Sequence, residues 1–210
     1  MGRGIVESAL RGGAGSPGLR LIETFRLGSP RVGLHRARMA RGAAALAWVF
    51  VPARFDAALA GADPARGSRL RLTLGVAGDI TVEQSALPAS PSVWRLGLAR
   101  RRLASGDPWL ALKSTNRPAY DAERASLAEG LDEVLFLNER DEVCDGTITT
   151  LFFDRGQGLR TPPAACGLLP GVLRAEMACP EEVLTVADLA RVRLWVGNSL
   201  RGLMPAVWAG

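Results

Sequence analysis

Short segments in which apolar and polar residues alternate are the feature that most constrains how this chain can fold. Residues 19–27 alternate in this way and end at the turn sequence Gly28-Ser29-Pro30, a pattern that predicts a β-strand. Apolar residues then recur at helical spacing over 34–49, and a second, shorter helix is predicted over 51–60. Further strands of this half are predicted at 70–74, 78–84 and 93–98.

The second half of the chain also mixes helices and strands. A helix is predicted over 120–128, and Pro170-Gly171 is typical of the start of another that runs to about residue 178. Strands are predicted at 133–138 and at 143–154, the latter rich in β-branched residues. The chain is therefore predicted to be an α+β protein of two lobes, a small N-terminal lobe of residues 1–105 and a larger C-terminal lobe of residues 106–210.

The composition predicts a globular protein without a membrane segment. Hydrophobic residues make up 48% and charged residues 22% of the 210 residues, and no apolar run approaches the roughly 20 residues that span a bilayer. The first ten residues lack the apolar stretch and the cleavage site of a signal peptide. We therefore expect a cytoplasmic protein that does not bind membranes.

The charges and the cysteines argue against several classes of function. The net charge of +5 is not gathered into a tail, so no nucleic-acid partner is predicted. A basic nucleic-acid-binding module with strongly salt-dependent binding stays a rival hypothesis. The three cysteines, Cys144, Cys166 and Cys179, are odd in number and include no close pair. This pattern predicts neither a disulfide framework nor a zinc site, and no metal is expected.

Lys113 is the only lysine of the chain. Lysine and arginine together number 26, so that 26 − 1 = 25 of these residues are arginine. Arginine supplies charge and salt bridges, but it cannot act as an amine nucleophile or carry protons near neutral pH, whereas a lysine with a lowered pKa does both. The count alone leaves a chance surface lysine and a functional lysine equally open.

Several motifs, in the same order along the chain, resemble those of the class IV aminotransferases, which are the fold type IV enzymes of pyridoxal phosphate. They are the lysine segment 112–117, the strands 132–138 and 143–152, the pair Thr161-Pro162 and the turn 167–174. Upstream, Glu23-Thr24-Phe25-Arg26 and His35-Arg36-Ala37-Arg38 resemble the family's first-lobe strand and its H-x-x-R element. The resemblance covers most of the chain. It implies the two-lobe fold of D-amino-acid aminotransferase, with the cofactor in the cleft between the lobes.

Two motifs are most similar to aminodeoxychorismate lyase within this family. One is Leu112-Lys113-x-x-Asn116-Arg117, and the other is Gly197-Asn198-Ser199-Leu200 followed by Met204-Pro205. The resemblance thus implies a lyase that acts on a small amino substrate and releases pyruvate and 4-aminobenzoate for folate synthesis. An aminotransferase for a branched-chain or D-amino acid shares the same residues and stays an alternative. The family also implies a homodimer.

The roles of the two central residues follow from the resemblance. Lys113 would carry pyridoxal 5'-phosphate covalently and, once the substrate has displaced it, would move protons at the substrate Cα. Asp145 stands where the family usually has glutamate, and its carboxylate would keep the pyridine nitrogen protonated. Because aspartate is one methylene shorter, either the backbone must approach the ring more closely or a water must intervene.

The phosphate group of the cofactor requires a cation and backbone amides at the start of a helix. By resemblance, Arg38 would supply the cation and Val172 and Leu173 the amides, while Asn198 and Ser199 would contribute from the last loop. The family often has a hydroxyl residue at the position of Leu173, so one side-chain contact with the phosphate is missing here.

The remaining polar candidates are less specific. Thr149 or its neighbour Thr150 would line the cofactor, although threonines are common in strands for their β-propensity alone. His35, the only histidine, is expected to be structural, and the only tyrosine, Tyr120, has no predicted role. The shorter carboxylate at Asp145 and the short chain keep open a third alternative, a catalytically inactive homologue that binds the cofactor.

Overall fold

The computed structural model describes Leu10 and residues 12–210. The prediction that the first ten residues form no signal peptide therefore concerns, apart from Leu10, residues outside this part of the chain. The described residues form two compact units. One contains the chain up to Ala89 together with Leu112–Asn116, and the other contains Ser90–Ala111 and Arg117–Gly210. No helix in the described part of the chain is long and apolar enough to cross a membrane.

The first unit contains an antiparallel sheet and, between β1 and β2 along the chain, two α-helices. Its strands lie in the order β1-β2-β3. The bounds are Leu21–Arg26 for β1, Val32–Leu46 for α1, Pro52–Ala60 for α2, Arg69–Leu74 for β2 and Ile80–Ser85 for β3. Because side chains alternate between the two faces of β1, Phe25 points into the core. Its ring packs against that of Phe55 from α2, with the ring centroids 6.4 Å apart. The strands and helices predicted between residues 19 and 84 are found within a few residues of their expected bounds, whereas the strand predicted at 93–98 extends to Leu103 and belongs to the second unit.

The segment Leu112–Asn116 belongs to the first unit because it pairs with β1. The amide of Ile22 donates to the carbonyl of Lys113 at 2.7 Å, and the amide of Thr115 donates to the carbonyl of Arg20 at 2.8 Å. The structure therefore divides the chain differently from the predicted boundary at residues 105 and 106. The chain leaves the first unit near Ala89, returns to it for five residues and then leaves again, a path that local sequence patterns do not reveal.

The second unit is built on a six-stranded mixed sheet in the order β6-β5-β4-β9-β8-β7. Strand β4 is central and runs parallel to both β5 and β9, while the other pairs are antiparallel. The strands are β4 Trp94–Leu103, β5 Glu133–Asn138, β6 Val143–Gly146, β7 Thr150–Asp154, β8 Arg193–Asn198 and β9 Gly202–Trp208. The helices are α3 Pro118–Ala125, α4 Val172–Met177 and α5 Val186–Leu189.

The two edge strands of this sheet, β6 and β7, are consecutive in the chain. Residues 147–149 alone connect them, and the amide of Gly146 donates to the carbonyl of Thr149 at 2.8 Å. The sheet must therefore curl until its two edges meet, as in a barrel. Its inner face is filled by fully buried apolar side chains from several strands, among them Leu96, Leu135, Leu151 and Val196.

Two features of the second unit differ from the sequence prediction. The predicted single strand 143–154 is broken at 147–149, where the chain turns between the sheet edges. Strand β9 is absent from the prediction because Pro205 argues against a strand. In the structure, Pro205 is paired with Trp195 of β8, and the pairing of β9 with β4 begins one residue later, at Ala206.

Replacing Gly167 by alanine should destabilise the second unit. Gly167 has a φ of +85°, and a Cβ placed there would lie 2.5 Å from the Cα of Ser105. Backbone strain and overpacking should together lower the free energy of unfolding by about 2 kcal/mol or more, measured by urea denaturation.

Gly106→Ala is the matched control, because Gly106 is in the loop beside Ser105 and has nothing within 4 Å of an added Cβ. It should change stability by no more than about 0.5 kcal/mol. Equal effects of the two substitutions would contradict the packing at Gly167.

Candidate active site

A buried ion pair between β1 and α1 fixes the predicted phosphate cation. Arg38 donates from Nε to Glu23 Oε1 at 2.8 Å and from Nη2 to Glu23 Oε2 at 2.5 Å, the two-pronged geometry that guanidinium and carboxylate groups favour. Burial alone would raise the pKa of Glu23, but the charge and hydrogen bonds of Arg38, with the hydrogen bond to His35, outweigh it and lower the pKa. Arg38 is thus held charged and oriented, and its Nη1 lies outside the pair with Glu23.

His35 supports this ion pair from the core. Its ring is fully buried, with Nδ1 2.5 Å from Glu23 Oε2 and the ring centroid 4.5 Å from that of Phe25. Burial lowers the pKa of His35, the contact with Glu23 opposes this shift, and the charges of Arg38 and Lys113 add to it. The ring orients the carboxylate of Glu23, in keeping with the structural role expected from the sequence.

Lys113 lies in the same neighbourhood of the first unit. Its backbone is fixed to β1 by the bond from Ile22, and its side chain is half-buried. Burial is the main cause of the lowered pKa of His35, and the positive charge of Lys113 also lowers it. The first unit therefore brings the charge of the predicted cofactor lysine within range of His35, which contacts the same Glu23 carboxylate as the predicted phosphate cation, Arg38.

Asp145, the third residue of β6, is a buried carboxylate with neutral hydrogen-bond donors. It is 4% exposed. Its Oδ1 accepts from the Tyr120 hydroxyl and its Oδ2 from the Leu169 amide, both at 3.1 Å. No arginine of the described second unit forms an ion pair with it. Burial raises the pKa of Asp145 to about 7, and the charge of Glu133 adds to the rise, while the two hydrogen bonds and Arg117 oppose it.

Glu133, the first residue of β5, holds the turn that follows Asp145. Its fully buried carboxylate accepts hydrogen bonds from the backbone of Thr147 at 3.0 Å and of Ile148 at 3.1 Å. It also accepts from the hydroxyls of Thr147 at 2.5 Å and Thr149 at 2.9 Å. The hydroxyl hydrogen of Thr149, predicted to line the cofactor, is therefore directed to Glu133.

The predicted phosphate-binding turn lies at the start of α4. Gly171 precedes the helix in extended conformation, and a Cβ placed there would lie 2.9 Å from the Thr150 hydroxyl. Val172 and Leu173 are buried and belong to the first turn, whose amides have no partner within the helix. Of the two threonines considered from the sequence, Thr150 is thus the one that lies beside this turn.

Asn198 ends β8, and Ser199 follows it in a turn that the Asn198 side chain organises. Its Oδ1 accepts from the amides of Leu200 at 3.1 Å and Arg201 at 3.0 Å, and its Nδ2 donates to the carbonyl of Ile148 at 3.2 Å. Asn198 therefore fixes its own loop against the 147–149 connection, and Ser199 is buried beside it.

Comparison with known proteins shows to which family the chain belongs. The model of the amino-transferase class IV family matches residues 21–207, which is nearly the whole chain. The chain belongs to the class IV aminotransferase family. Enzymes of this family generally depend on pyridoxal phosphate, and the chain is a pyridoxal-phosphate-dependent enzyme. A search of curated protein sequences gives no match.

Solved structures of class IV aminotransferases have the same fold. A putative amino-acid aminotransferase from Mesorhizobium loti is 42% identical with a TM-score of 0.85, over 91% of this chain and 100% of that one. The 4-amino-4-deoxychorismate lyase from Pseudomonas aeruginosa is 26% identical with a TM-score of 0.73, over 90% and 83% of the two chains. A putative branched-chain amino acid aminotransferase from Thermotoga maritima is 21% identical with a TM-score of 0.77, over 90% and 76%.

The structural roles of three polar residues were not predicted from the sequence. Glu23 orients Arg38, Glu133 holds the turn after Asp145, and Tyr120 hydrogen-bonds to Asp145 itself. The only signal for Tyr120 was that it is the one tyrosine of the chain. The two glutamates lie in the motifs that carry the family resemblance, but motif position alone does not show which partner each one binds.

Glu133→Gln should destabilise the protein. A glutamine would turn an amide donor toward groups that themselves donate, so at least one buried donor would lose its acceptor. We expect the free energy of unfolding to fall by about 2–4 kcal/mol in urea denaturation. Glu129→Gln, at an exposed position just upstream, is the matched control and should be neutral. A stable Glu133→Gln protein would contradict the role of this carboxylate.

In the cofactor-free protein, the stability of Asp145→Asn relative to the unchanged chain should increase as the pH rises. The folded-state pKa of about 7 lies above the ordinary 3.8, so the folded protein keeps a proton that the unfolded chain has lost. Stability then falls as the pH rises through this window. Between pH 5 and pH 8, the unchanged chain should lose about 2–3 kcal/mol of unfolding free energy relative to the variant.

The quantity to compare is the difference between the two proteins at each pH. The titration of His35 acts with the opposite sign, because its lowered pKa removes stability as the pH falls, and the difference cancels that contribution. Asparagine fits the same two partners, since the Tyr120 hydroxyl can accept as well as donate. A difference that stays constant from pH 5 to pH 8 would show that Asp145 does not titrate there.

Proposed function

We propose that the protein is a pyridoxal-phosphate-dependent lyase that cleaves 4-amino-4-deoxychorismate to pyruvate and 4-aminobenzoate. The observation that carries the cofactor part of this proposal is the state of Asp145. Its carboxylate is buried, its hydrogen-bond donors are neutral, and its own unit gives it no ion pair. A protonated pyridine nitrogen is a cationic donor of the kind that this carboxylate lacks.

The other predicted cofactor residues fit pyridoxal phosphate as well. Arg38 is charged and held by Glu23 with Nη1 outside that pair, which suits a phosphate oxygen. The first amides of α4, at Val172 and Leu173, suit another. Asn198 keeps the last loop in place, and Ser199 lies within it. Lys113 is the only side-chain primary amine in the chain.

Each of these residues would have a defined task in the reaction. When bound, the cofactor withdraws electrons from the substrate Cα through its protonated ring. Asp145 would keep the ring nitrogen protonated. The Nζ atom of Lys113 would carry the cofactor in the resting enzyme and then take the proton from the substrate Cα. Arg38 and the α4 amides would hold the phosphate.

The lyase is proposed ahead of other class IV activities because of two segments. Leu112-Lys113-x-x-Asn116-Arg117 and Gly197-Asn198-Ser199-Leu200 resemble the lyase branch, and lyases are among the similar structures. An amino-acid aminotransferase is the second candidate, favoured by the relative from Mesorhizobium loti. A role in folate synthesis, a cytoplasmic location and a homodimer belong to the same proposal.

Borohydride reduction of the protein mixed with pyridoxal phosphate should attach the cofactor to Lys113. We expect a visible absorption band that disappears on reduction, and a labelled peptide that contains Lys113. Lys113→Arg retains the positive charge but not the primary amine, and it should show neither band nor label. Label found only at the N-terminal amine would contradict the cofactor role of Lys113.

Product analysis separates the two candidate activities. A lyase should release pyruvate and 4-aminobenzoate in equal amounts from 4-amino-4-deoxychorismate with no 2-oxo acid present. An aminotransferase should turn over an amino acid only when an acceptor 2-oxo acid is supplied. Turnover that depends strictly on the 2-oxo acid would overturn the lyase and support the second candidate.

A further inference from the structure

Tyr120 presents its hydroxyl to Asp145 from a fixed position. It lies on α3, and its ring packs against Phe136 with the centroids 4.8 Å apart and the planes 60° apart. The guanidinium of Arg117, the residue just before α3, lies 5.2 Å from the ring centroid. Arg117 is anchored in turn by its bonds to Asp121 and to the carbonyl of Thr147. The hydroxyl therefore reaches Asp145 Oδ1 on a ring that has little freedom to move.

The hydroxyl of Tyr120 also keeps its proton to a higher pH than an ordinary tyrosine. Burial raises the pKa of Tyr120 well above its usual value, and the neighbouring Asp145 charge raises it further. A neutral hydroxyl that donates to a carboxylate favours the ionised form of that carboxylate. Tyr120 thus offsets part of the cost of burying a charge at Asp145, where an aspartate replaces the longer glutamate.

We propose that Tyr120 is a positioning residue, whose hydroxyl keeps the shorter carboxylate of Asp145 ionised and oriented for the pyridine nitrogen of the cofactor. This inference rests on the proposed use of pyridoxal phosphate. It assigns to Tyr120 the task of holding the Asp145 carboxylate by a hydrogen bond. In this proposal Tyr120 acts through Asp145 alone.

The other groups around Asp145 do not perform this task. From β5, the Glu133 charge disfavours the ionised carboxylate, and from the residue before α3 the Arg117 charge favours it without a hydrogen bond to it. The thiol of Cys144, next to Asp145 on β6, is buried and its pKa is raised, so it remains neutral. The amide of Leu169 holds the second oxygen. Among these groups, Tyr120 supplies the side-chain hydrogen bond to the carboxylate.

Tyr120→Phe tests the proposal with and without the cofactor. In the cofactor-free protein, loss of the hydroxyl should raise the pKa of Asp145. The pH range over which the unfolding free energy falls, measured as the difference from Asp145→Asn, should then extend upward by about one pH unit. In the loaded protein, the dissociation constant of pyridoxal phosphate should rise about five- to tenfold near pH 6–7. It should return toward that of the unchanged chain near pH 9, because only the ionised carboxylate serves the cofactor.

Two further variants separate positioning from simple loss of structure. Phe136→Leu removes the ring contact and keeps the hydroxyl, so it should lower stability without moving the pH window. In an Asp145→Asn background, Tyr120→Phe should cause no further loss of cofactor affinity, because the two residues act through one interaction.

Several outcomes would overturn the proposal. One is a loss of affinity in Tyr120→Phe that is equal at every pH, and another is a loss that adds in full to that of Asp145→Asn. If the cofactor-free window moves but the affinity does not, Tyr120 controls the carboxyl group without serving the cofactor, and the proposal fails while the proposed function stands. An unchanged chain that binds no pyridoxal phosphate overturns the proposed function itself.

Discussion

The hydrogen bonds that converge on Glu133 are the interaction on which the second unit depends. Strands β6 and β7 are the edges of its sheet, and residues 147–149 must turn between them. A turn buried at that point exposes backbone amides to the interior, where each needs an acceptor. The carboxylate of Glu133 accepts from two of these amides and from two threonine hydroxyls. The backbone position of Asp145, one residue before Gly146, follows from this anchor.

Three buried carboxylates of the protein are stabilised in different ways, and the differences mark their functions. Glu23 has Arg38 as a close ion-pair partner, and Glu133 has a set of donors with Arg124 Nη1 3.7 Å away. Asp145 has two neutral donors and a raised pKa. Structural carboxylates are satisfied within the fold, whereas a carboxylate kept short of positive charge is suited to receive it from a ligand. Asp145 is therefore the carboxylate that we propose as the partner of the pyridine nitrogen.

The sequence predicts the elements of this fold better than their connections. Strand 133–138 is found with the expected bounds, because its apolar residues and flanking turns are local signals. The attachment of residues 112–116 to β1 and the break at 147–149 depend on partners distant in sequence. The site divides in the same way. Motif order makes Lys113, Arg38 and Asp145 candidate site residues, but the contact between Tyr120 and Asp145 spans 25 residues and has no motif.

The most direct test of the link between Asp145 and the cofactor is a titration of the Asp145 carboxyl carbon by NMR, in the cofactor-free and the loaded protein. The Asp145→Asn variant assigns the signal. Without cofactor the group should titrate near its pKa of about 7. With pyridoxal phosphate bound, it should remain ionised throughout the range from about pH 5 to 8, a fall in pKa of about two units or more. The same titration curve in both states would contradict Asp145 as the partner of the pyridine nitrogen.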